Sequence, residues 1–389
     1  MNWAHVTSAL KVHADKDEWM IMYAKRLEGI ELSRIRKMFE VQGENIINLG
    51  IGEPDFNIPE HAREAIEDAL RDGFTHYTPN KGILELREAI AEKLKVENNI
   101  KTSPEDIIVT VGASEALYMC AQALIEKGDK VLIPDPGFLS YDACVKLAEG
   151  ESIPVPLEKE DFKLNPETIE SLLDENTKAI ILNSPSNPTG AVMEKDDIRA
   201  IAELAEEKNL IIISDEVYEK IIYEKKHYSP GQFTENAIII NGFSKTYAMT
   251  GLRIGYLTGK SEIIEELLKV HQYNTACAPS ISQVAALAAL KGPQRVVDDM
   301  VAEFRRRRDL MFKRFEDMGI ECSKPEGAFY MFPYVKDEKE FIEKALREGV
   351  VAVPGSAFGS NGKNHIRFSY AAPYHEIKEA MDRIEKIVG

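Results

Sequence analysis

The sequence predicts an α/β fold: a three-layer α/β/α large domain on a mostly parallel sheet, joined to a smaller α+β domain. Length is the first reason, since 389 residues exceed what one small hydrophobic core organises. The second is the middle of the chain, where short runs that are apolar throughout alternate with amphipathic segments. Strands covered on both faces read this way. The third is a change of pattern towards the C-terminus, where strand-like runs are interleaved with amphipathic helices.

In chain order, the opening "MNWAHVTSALKVHADKDEW" mixes charges throughout and has no signal-peptide core. Residues 1–27 read as an extension without a partner in this fold, either disordered or the product of an upstream start codon. "DIIVTVG" reads as a strand. It leads into the helix "SEALYMCAQALIEKG", where Leu117, Cys120, Leu124 and Ile125 recur at helical spacing and Gly128 is the expected stop. The strand runs "KVLIPDPG", "KAIILNSPSNPTG", "LIIISDEVY" and "AIIINGFSK" follow. "PQRVVDDMVAEFRRRRDLMFKRFEDMG" predicts a long helix. Successive helical residues point in different directions, so its arginines 305–308 are expected on a solvated, salt-bridged face. "GAFYMFPYV" and "HIRFSYA" read as strands beside the helices "EKEFIEKALREG" and "HEIKEAMDRIEKIVG". In the last of these, Ile377, Ala380, Met381, Ile384 and Ile387 form one apolar stripe. The large domain is expected over 63–288, the small domain over 28–62 and 289–389, and a ligand cleft between them.

Bulk properties exclude several functions. A net charge of −17 does not suit a nucleic-acid binder, which needs a basic face. No apolar run approaches the roughly 20 residues that span a bilayer. Cys120, Cys144, Cys277 and Cys322 show no CxxC spacing, which suits reduced thiols in a cytoplasmic protein and gives no metal site.

Three successive strand runs end in polar groups: Asn187, then Asp215 with Tyr218, then Lys245, at intervals of 28 and 30 residues. One strand plus one crossover helix has about that length. Parallel strands would therefore gather these groups at the carboxyl edge of the sheet, where open α/β sheets bind ligands. A lysine in an apolar pocket loses its proton readily and becomes a nucleophile for an aldehyde. Asp215 could hold the proton on a pyridine nitrogen, and Tyr218 and Asn187 could bond the ring's 3-oxygen. Phe138 could stack on the ring. The helix start at Ala113–Ser114 and the Arg253 guanidinium suit a phosphate. Together these describe a pocket for pyridoxal 5′-phosphate. Each residue alone has a plainer reading: a surface lysine, a helix-capping aspartate, an NPTG turn, a core phenylalanine. Only the ordered combination in one sheet favours the pocket.

"SKTYAMTGLRIGY", "NSPSNPTG", "SDEVY" and "HYTPNKGILELREAI" resemble the class I aminotransferases of the pyridoxal-phosphate fold type I group. The resemblance runs from about residue 28 to the end and is greatest to archaeal enzymes of the aspartate subgroup. It implies that Lys245 is the Schiff-base lysine and proton carrier. It likewise implies that Asp215 holds the ring nitrogen, and Tyr218 and Asn187 the 3-oxygen. Ala113, Ser114, Ser244 and Arg253 would hold the phosphate, joined by Tyr77 from the neighbouring subunit of a homodimer. Gly52 and Asn187 would help bind the substrate α-carboxylate, with Arg367 as its clamp. The strand pattern agrees, because Arg367 falls on the face opposite Ile366, Phe368 and Tyr370. Three positions depart from the family pattern: Gly242 replaces a phosphate-binding serine, Leu252 replaces a common tryptophan, and Phe138 occupies a variable aromatic place.

The implied reaction is ping-pong amino transfer, with L-aspartate as donor and 2-oxoglutarate as acceptor. An aromatic or broad-range donor is the alternative. A lyase or decarboxylase on the same scaffold is a further one. A DNA-binding regulator would need a basic helical domain that 28 preceding residues cannot supply. A nicotinamide-binding reading fails because "GIGEPDF" does not continue as GxGxxG into a helix.

Overall fold

A computed structural model of the protein describes residues 24–30, 32, 43 and 45–388. The expected extension over 1–27 lies outside the described residues except for its last four, where Lys25–Leu27 form one 3-10 turn.

Seven strands form the central sheet: β2 (Ile107–Thr110), β3 (Lys130–Asp135), β4 (Glu151–Pro156), β5 (Thr177–Asn183), β6 (Ile211–Asp215), β7 (Ala237–Gly242) and β8 (Gly255–Thr258). Their spatial order is β2-β8-β7-β6-β5-β3-β4. Pairs β7–β6, β6–β5, β5–β3 and β3–β4 are parallel, and β8 alone runs against both its neighbours. The sheet is therefore mostly parallel, as the unalternating apolar runs require. Two of its strands carried weak sequence signals. β4 is an edge strand interrupted by Pro154 and Pro156, a composition that demotes a strand. β8 is only four residues long.

Side chains alternate across this sheet into two separate cores. Ile107, Val109, Ile180, Leu182, Ile212 and Ile239 face one core. It is closed by helices α1 (Glu60–Arg71), α2 (Leu84–Glu97), α6 (Lys195–Glu207) and α9 (Ser280–Lys291), with α5 (Pro166–Leu172) at its margin. Ile108, Ala179, Ile181, Ile213, Ile238 and Ile240 face the other, under α3 (Gly112–Leu124), α4 (Ser140–Leu147) and α8 (Ser261–Asn274). This is the three-layer α/β/α arrangement. Helix α3 stops at Leu124, short of Gly128, because Ile125 leaves the helix in extended geometry to bury its side chain. Gly128, at φ +104°, turns the following loop instead.

A further core joins Ile47 and Leu49 to residues of α10 (Arg295–Asp317), α11 (Glu338–Arg347) and α12 (Tyr374–Val388), and includes Val217, Tyr218 and Ile221. Short strands complete this part: β1 (Ile47–Asn48) pairs in parallel with β10 (Val350–Val351), and β11 (Val353–Pro354), β12 (Ile366–Ser369) and β9 (Tyr330–Met331) pair antiparallel. The stripe on α12 is buried as its spacing predicts, with only Ile387 partly exposed.

The arginine run corrects one expectation. Arg305 and Arg306 are exposed, but Arg307 and Arg308 are buried at 5% and 1% exposure. Arg307 forks onto Asp55 at 2.7 and 3.1 Å. Arg308 forks onto Glu224 at 2.6 and 2.7 Å, over the ring of Tyr223. The helix turns half of the run towards carboxylates, and a planar guanidinium is tolerated there because it is paired.

Candidate active site

The carboxyl ends of β5, β6 and β7 open into a cleft of about 380 Å³. Its lining includes Gly52, Ala113, Ser114, Phe138, Asn187 and Asp215. Tyr218, Ser244, Lys245, Arg253 and Arg367 also line it. Of the residues singled out in the sequence, only Tyr77 lies elsewhere: it is 89% exposed on the loop after α1.

Lys245 sits on α7 (Phe243–Thr246), the single turn that directly follows β7. Its ammonium donates to the Gly52 carbonyl at 2.6 Å. Burial pulls its pKa down to about 8; the Glu53 carboxylate opposes this, and the Arg367 and Arg253 charges reinforce it. An amine in this setting deprotonates near neutrality. Gly52 cannot be exchanged freely, because a Cβ there would lie 2.2 Å from the Tyr330 hydroxyl.

β7 and β8 meet at the Gly242–Gly255 pair, against which the N-terminus of α3 packs. A Cβ on Gly255 would lie 2.8 Å from the Ala113 nitrogen. Gly112, at φ +73°, lets the Arg253 guanidinium approach: a Cβ there would be 2.9 Å from Arg253 Nη2. Arg253 itself adopts left-handed backbone geometry at φ 50°, uncommon for a residue with a side chain, and its Nη1 donates to the Thr250 carbonyl at 2.9 Å. Unpaired helix N–H groups and a guanidinium thus converge on one small space, an anion cup. Glu115 steadies it from behind. Burial pushes that carboxyl up, but bonds from His271, Thr275 and the Val111 N–H outweigh it and hold the pKa below the usual value.

Asp215 ends β6 with its pKa raised to about 6 by burial, against the Tyr141 hydroxyl, which donates to Oδ2 at 2.9 Å. Asn183 Nδ2 donates to the Asp215 carbonyl, and Asn183 Oδ1 accepts from the Asn187 N–H, so the two strand ends are tied together. Tyr218 and Tyr330 share a hydroxyl–hydroxyl bond of 2.8 Å, and burial raises both phenols.

Arg367 is 2% exposed. Its Nη1 donates to Asn187 Oδ1 at 2.9 Å and Nη2 to the Gly50 carbonyl at 2.6 Å, while Nε has no partner among the described residues. The rings of Tyr330 and Phe358 lie 4.5 and 4.8 Å from its guanidinium. Among the described residues no carboxylate pairs with it. A buried, unpaired cation is costly without an anion to meet it, so this guanidinium is arranged for an anionic ligand.

Sequence reasoning passed over Tyr141, Asn183, Tyr330 and Glu115. Tyr141 stands three residues after Phe138 on the next helix, and the two rings meet edge-on at 5.7 Å. That spacing was the one available signal for Tyr141. Asn183 is itself the polar end of β5 and bonds Asn187 four residues on, whereas Tyr330 and Glu115 act through contacts between distant segments.

The arrangement offers a nucleophilic amine, an acid of raised pKa, an anion cup and a separate guanidinium for a carboxylate. Comparison with known proteins gives the same chemistry. Residues 44–384 match the family model described as "Aminotransferase class I and II". The chain is 51% identical to a Methanocaldococcus jannaschii protein named "Probable aspartate aminotransferase", over 94% of this chain and 100% of the relative. It is 46% identical to "Aromatic-amino-acid aminotransferase 2" of Thermococcus litoralis, over 93% and 97%. The solved aspartate aminotransferase of Thermus thermophilus with maleate superposes with a TM-score of 0.91 at 38% identity, covering 94% of this chain and 99% of that one. The cleft and these likenesses lead to one conclusion: this chain is an aminotransferase of the class I and II family.

Proposed function

We propose that the protein transfers the amino group of L-aspartate to 2-oxoglutarate with pyridoxal 5′-phosphate as cofactor. The donor set fits that cofactor: Gly112 admits the Arg253 guanidinium and Gly255 leaves the Ala113 N–H uncovered, and a buried carboxyl and a partly buried amine stand in the same cleft. When bound, the cofactor supplies an aldehyde that condenses with amines and a protonated ring that accepts electron density. Ala113, Ser114, Ser244 and Arg253 would hold its phosphate. Asp215 would keep the ring nitrogen protonated, Tyr218 and Asn187 would bond the 3-oxygen, and Phe138 would supply an apolar face for the ring. Arg367, with Asn187 and Gly52, fixes the substrate α-carboxylate and so orients the α-carbon. Lys245 then takes the α-proton as a base of suitable pKa. The observation that carries this reading is the buried Arg367 guanidinium with no carboxylate partner among the described residues, sharing a cleft with Lys245.

The aspartate donor is supported by the names of relatives such as the Methanocaldococcus protein. A second reading, an aromatic or broad-range donor, is favoured by one feature. Among the described lining residues the only cations are Lys245, Arg253 and Arg367, and none is spare for a distal carboxylate. The Thermococcus relative points the same way. Further parts of the proposal are a homodimer in which exposed Tyr77 reaches the partner's phosphate, a cytoplasmic location, and domains at 63–288 and at 28–62 with 289–389. The separation of the cores supports two domains but not these bounds, since Ala62 and Ala289 pack in the core of the large sheet and Val217, Tyr218 and Ile221 in the other.

Borohydride reduction of the purified protein should fix the cofactor on the peptide bearing Lys245. A substrate panel with 2-oxoglutarate as acceptor should rank aspartate above tyrosine, alanine and kynurenine. Label on another lysine would overturn the role of Lys245, no label after addition of the cofactor would overturn the cofactor assignment, and dominant turnover of tyrosine would overturn the donor assignment.

A further inference from the structure

Asp135, the last residue of β3, is a buried carboxylate at 3% exposure that does not line the cleft. Among the described residues no cation pairs with it, and one short loop satisfies it instead. Ser360 Oγ donates to Oδ2 at 2.7 Å, the Asn361 N–H to Oδ1 at 3.1 Å, and Asn361 Nδ2 to Oδ2 at 3.0 Å. Gly359, at φ +130°, permits this approach, since a Cβ there would lie 2.0 Å from Asp135 Oδ1. Two residues beyond Asp135, the Gly137 N–H donates to the Phe358 carbonyl at 2.8 Å. The loop 355–362 is thus pinned to the end of β3 at two points.

Each side of this joint carries an active-site face. On the loop, the Phe358 ring lies against the Arg367 guanidinium. On the strand side, Leu139 packs with Phe358, Phe332 and Val353 in one small apolar cluster. Leu139 adjoins Phe138, whose ring meets Tyr141, and Tyr141 holds Asp215.

We propose that Asp135 is a positioning residue for transamination, locking loop 355–362 to the end of β3 so that the Arg367 clamp stays in register with the Phe138–Tyr141–Asp215 side of the cleft. The inference rests on the reading of Arg367 as the α-carboxylate site. A carboxylate is required because both its oxygens accept, whereas asparagine would turn an NH₂ group towards one of the donors.

The test uses the holoenzyme with Asp135→Asn, with the paired change Ser360→Ala and Asn361→Ala, and with all three substitutions together. The paired change removes the two side-chain donors from the more exposed side and leaves the Asn361 N–H bond, so the test survives if Asp135→Asn folds poorly. Losing these charge-assisted bonds should raise KM for the amino donor about tenfold and leave kcat within about twofold. Hydrogen exchange across 355–362 should quicken, and the effect of the combined variant should fall well short of the sum of its parents, because both changes disrupt one joint. An unchanged KM with only a lowered melting temperature would reduce Asp135 to a structural role and overturn the proposal, as would additive effects. If the wild-type protein transaminated no amino acid, the reading of Arg367 would fail by itself. Unchanged exchange of the loop would refute the lock in either case.

Discussion

Replacing Asp215 by asparagine in the cofactor-free protein should make it more stable at neutral and alkaline pH, although a hydrogen-bonded residue is altered. Burial raises the folded-state pKa from 3.8 to about 6. Between those values the folded chain holds a proton that the unfolded chain releases, so stability falls as pH rises through that window. Ionising Asp215 therefore costs the folded state about 3 kcal/mol above pH 7 and roughly half of that at pH 5, by the linkage relation. Asparagine does not titrate. The lost bond from Tyr141 adds an offset that is the same at both pH values. The stability of the variant relative to wild type should accordingly rise by roughly 1 kcal/mol between pH 5 and pH 8. Urea titrations of both proteins followed by circular dichroism measure this difference directly. Parallel curves at the two pH values would refute the claim that an uncompensated buried charge resides at this position.

In the cofactor-free protein, competitive labelling of Lys245 with an amine-reactive anhydride should rise with a midpoint near pH 8, the value to which burial lowers it. A midpoint above pH 10 would mean that its ammonium is well solvated. Arg367→Lys keeps the charge but loses the planar fork held between Asn187 and Gly50. It should lower kcat/KM for the amino donor by about 100-fold, and a loss below about threefold would remove Arg367 from carboxylate binding. Arg308→Leu should destabilise the protein by only about 2 kcal/mol, below the roughly 3 to 5 kcal/mol of a broken buried pair, because Glu224 and Asp309 are half exposed and regain water. A loss above about 5 kcal/mol in denaturant titration would show that those carboxylates are held away from solvent.

Much of the cleft was legible in the sequence because it is local to strand ends. Asn187, Asp215 and Lys245 each follow an apolar run, and β5, β6 and β7 are adjacent and parallel, so equal spacing along the chain becomes proximity in space. Arg367 was legible through a period of two, since its neighbours on either side belong to the core. Tyr330 and Glu115 were not, because their roles come from partners 112 and 156 residues away. An aromatic in a strand or a carboxylate in a first helical turn has many ordinary explanations. The arginine run failed for a related reason: the helix was predicted correctly, but which arginines meet Asp55 and Glu224 depends on what packs beside it.

The reversed direction of β8 has a consequence for how the site is tethered. Because β8 runs against β7, the chain leaves the sheet at Gly242 and re-enters directly opposite at Gly255. Lys245 and Arg253 therefore sit on one short covalent loop, with no crossover helix between them. Any displacement of that loop carries both groups together, whereas Arg367 belongs to a separate sheet.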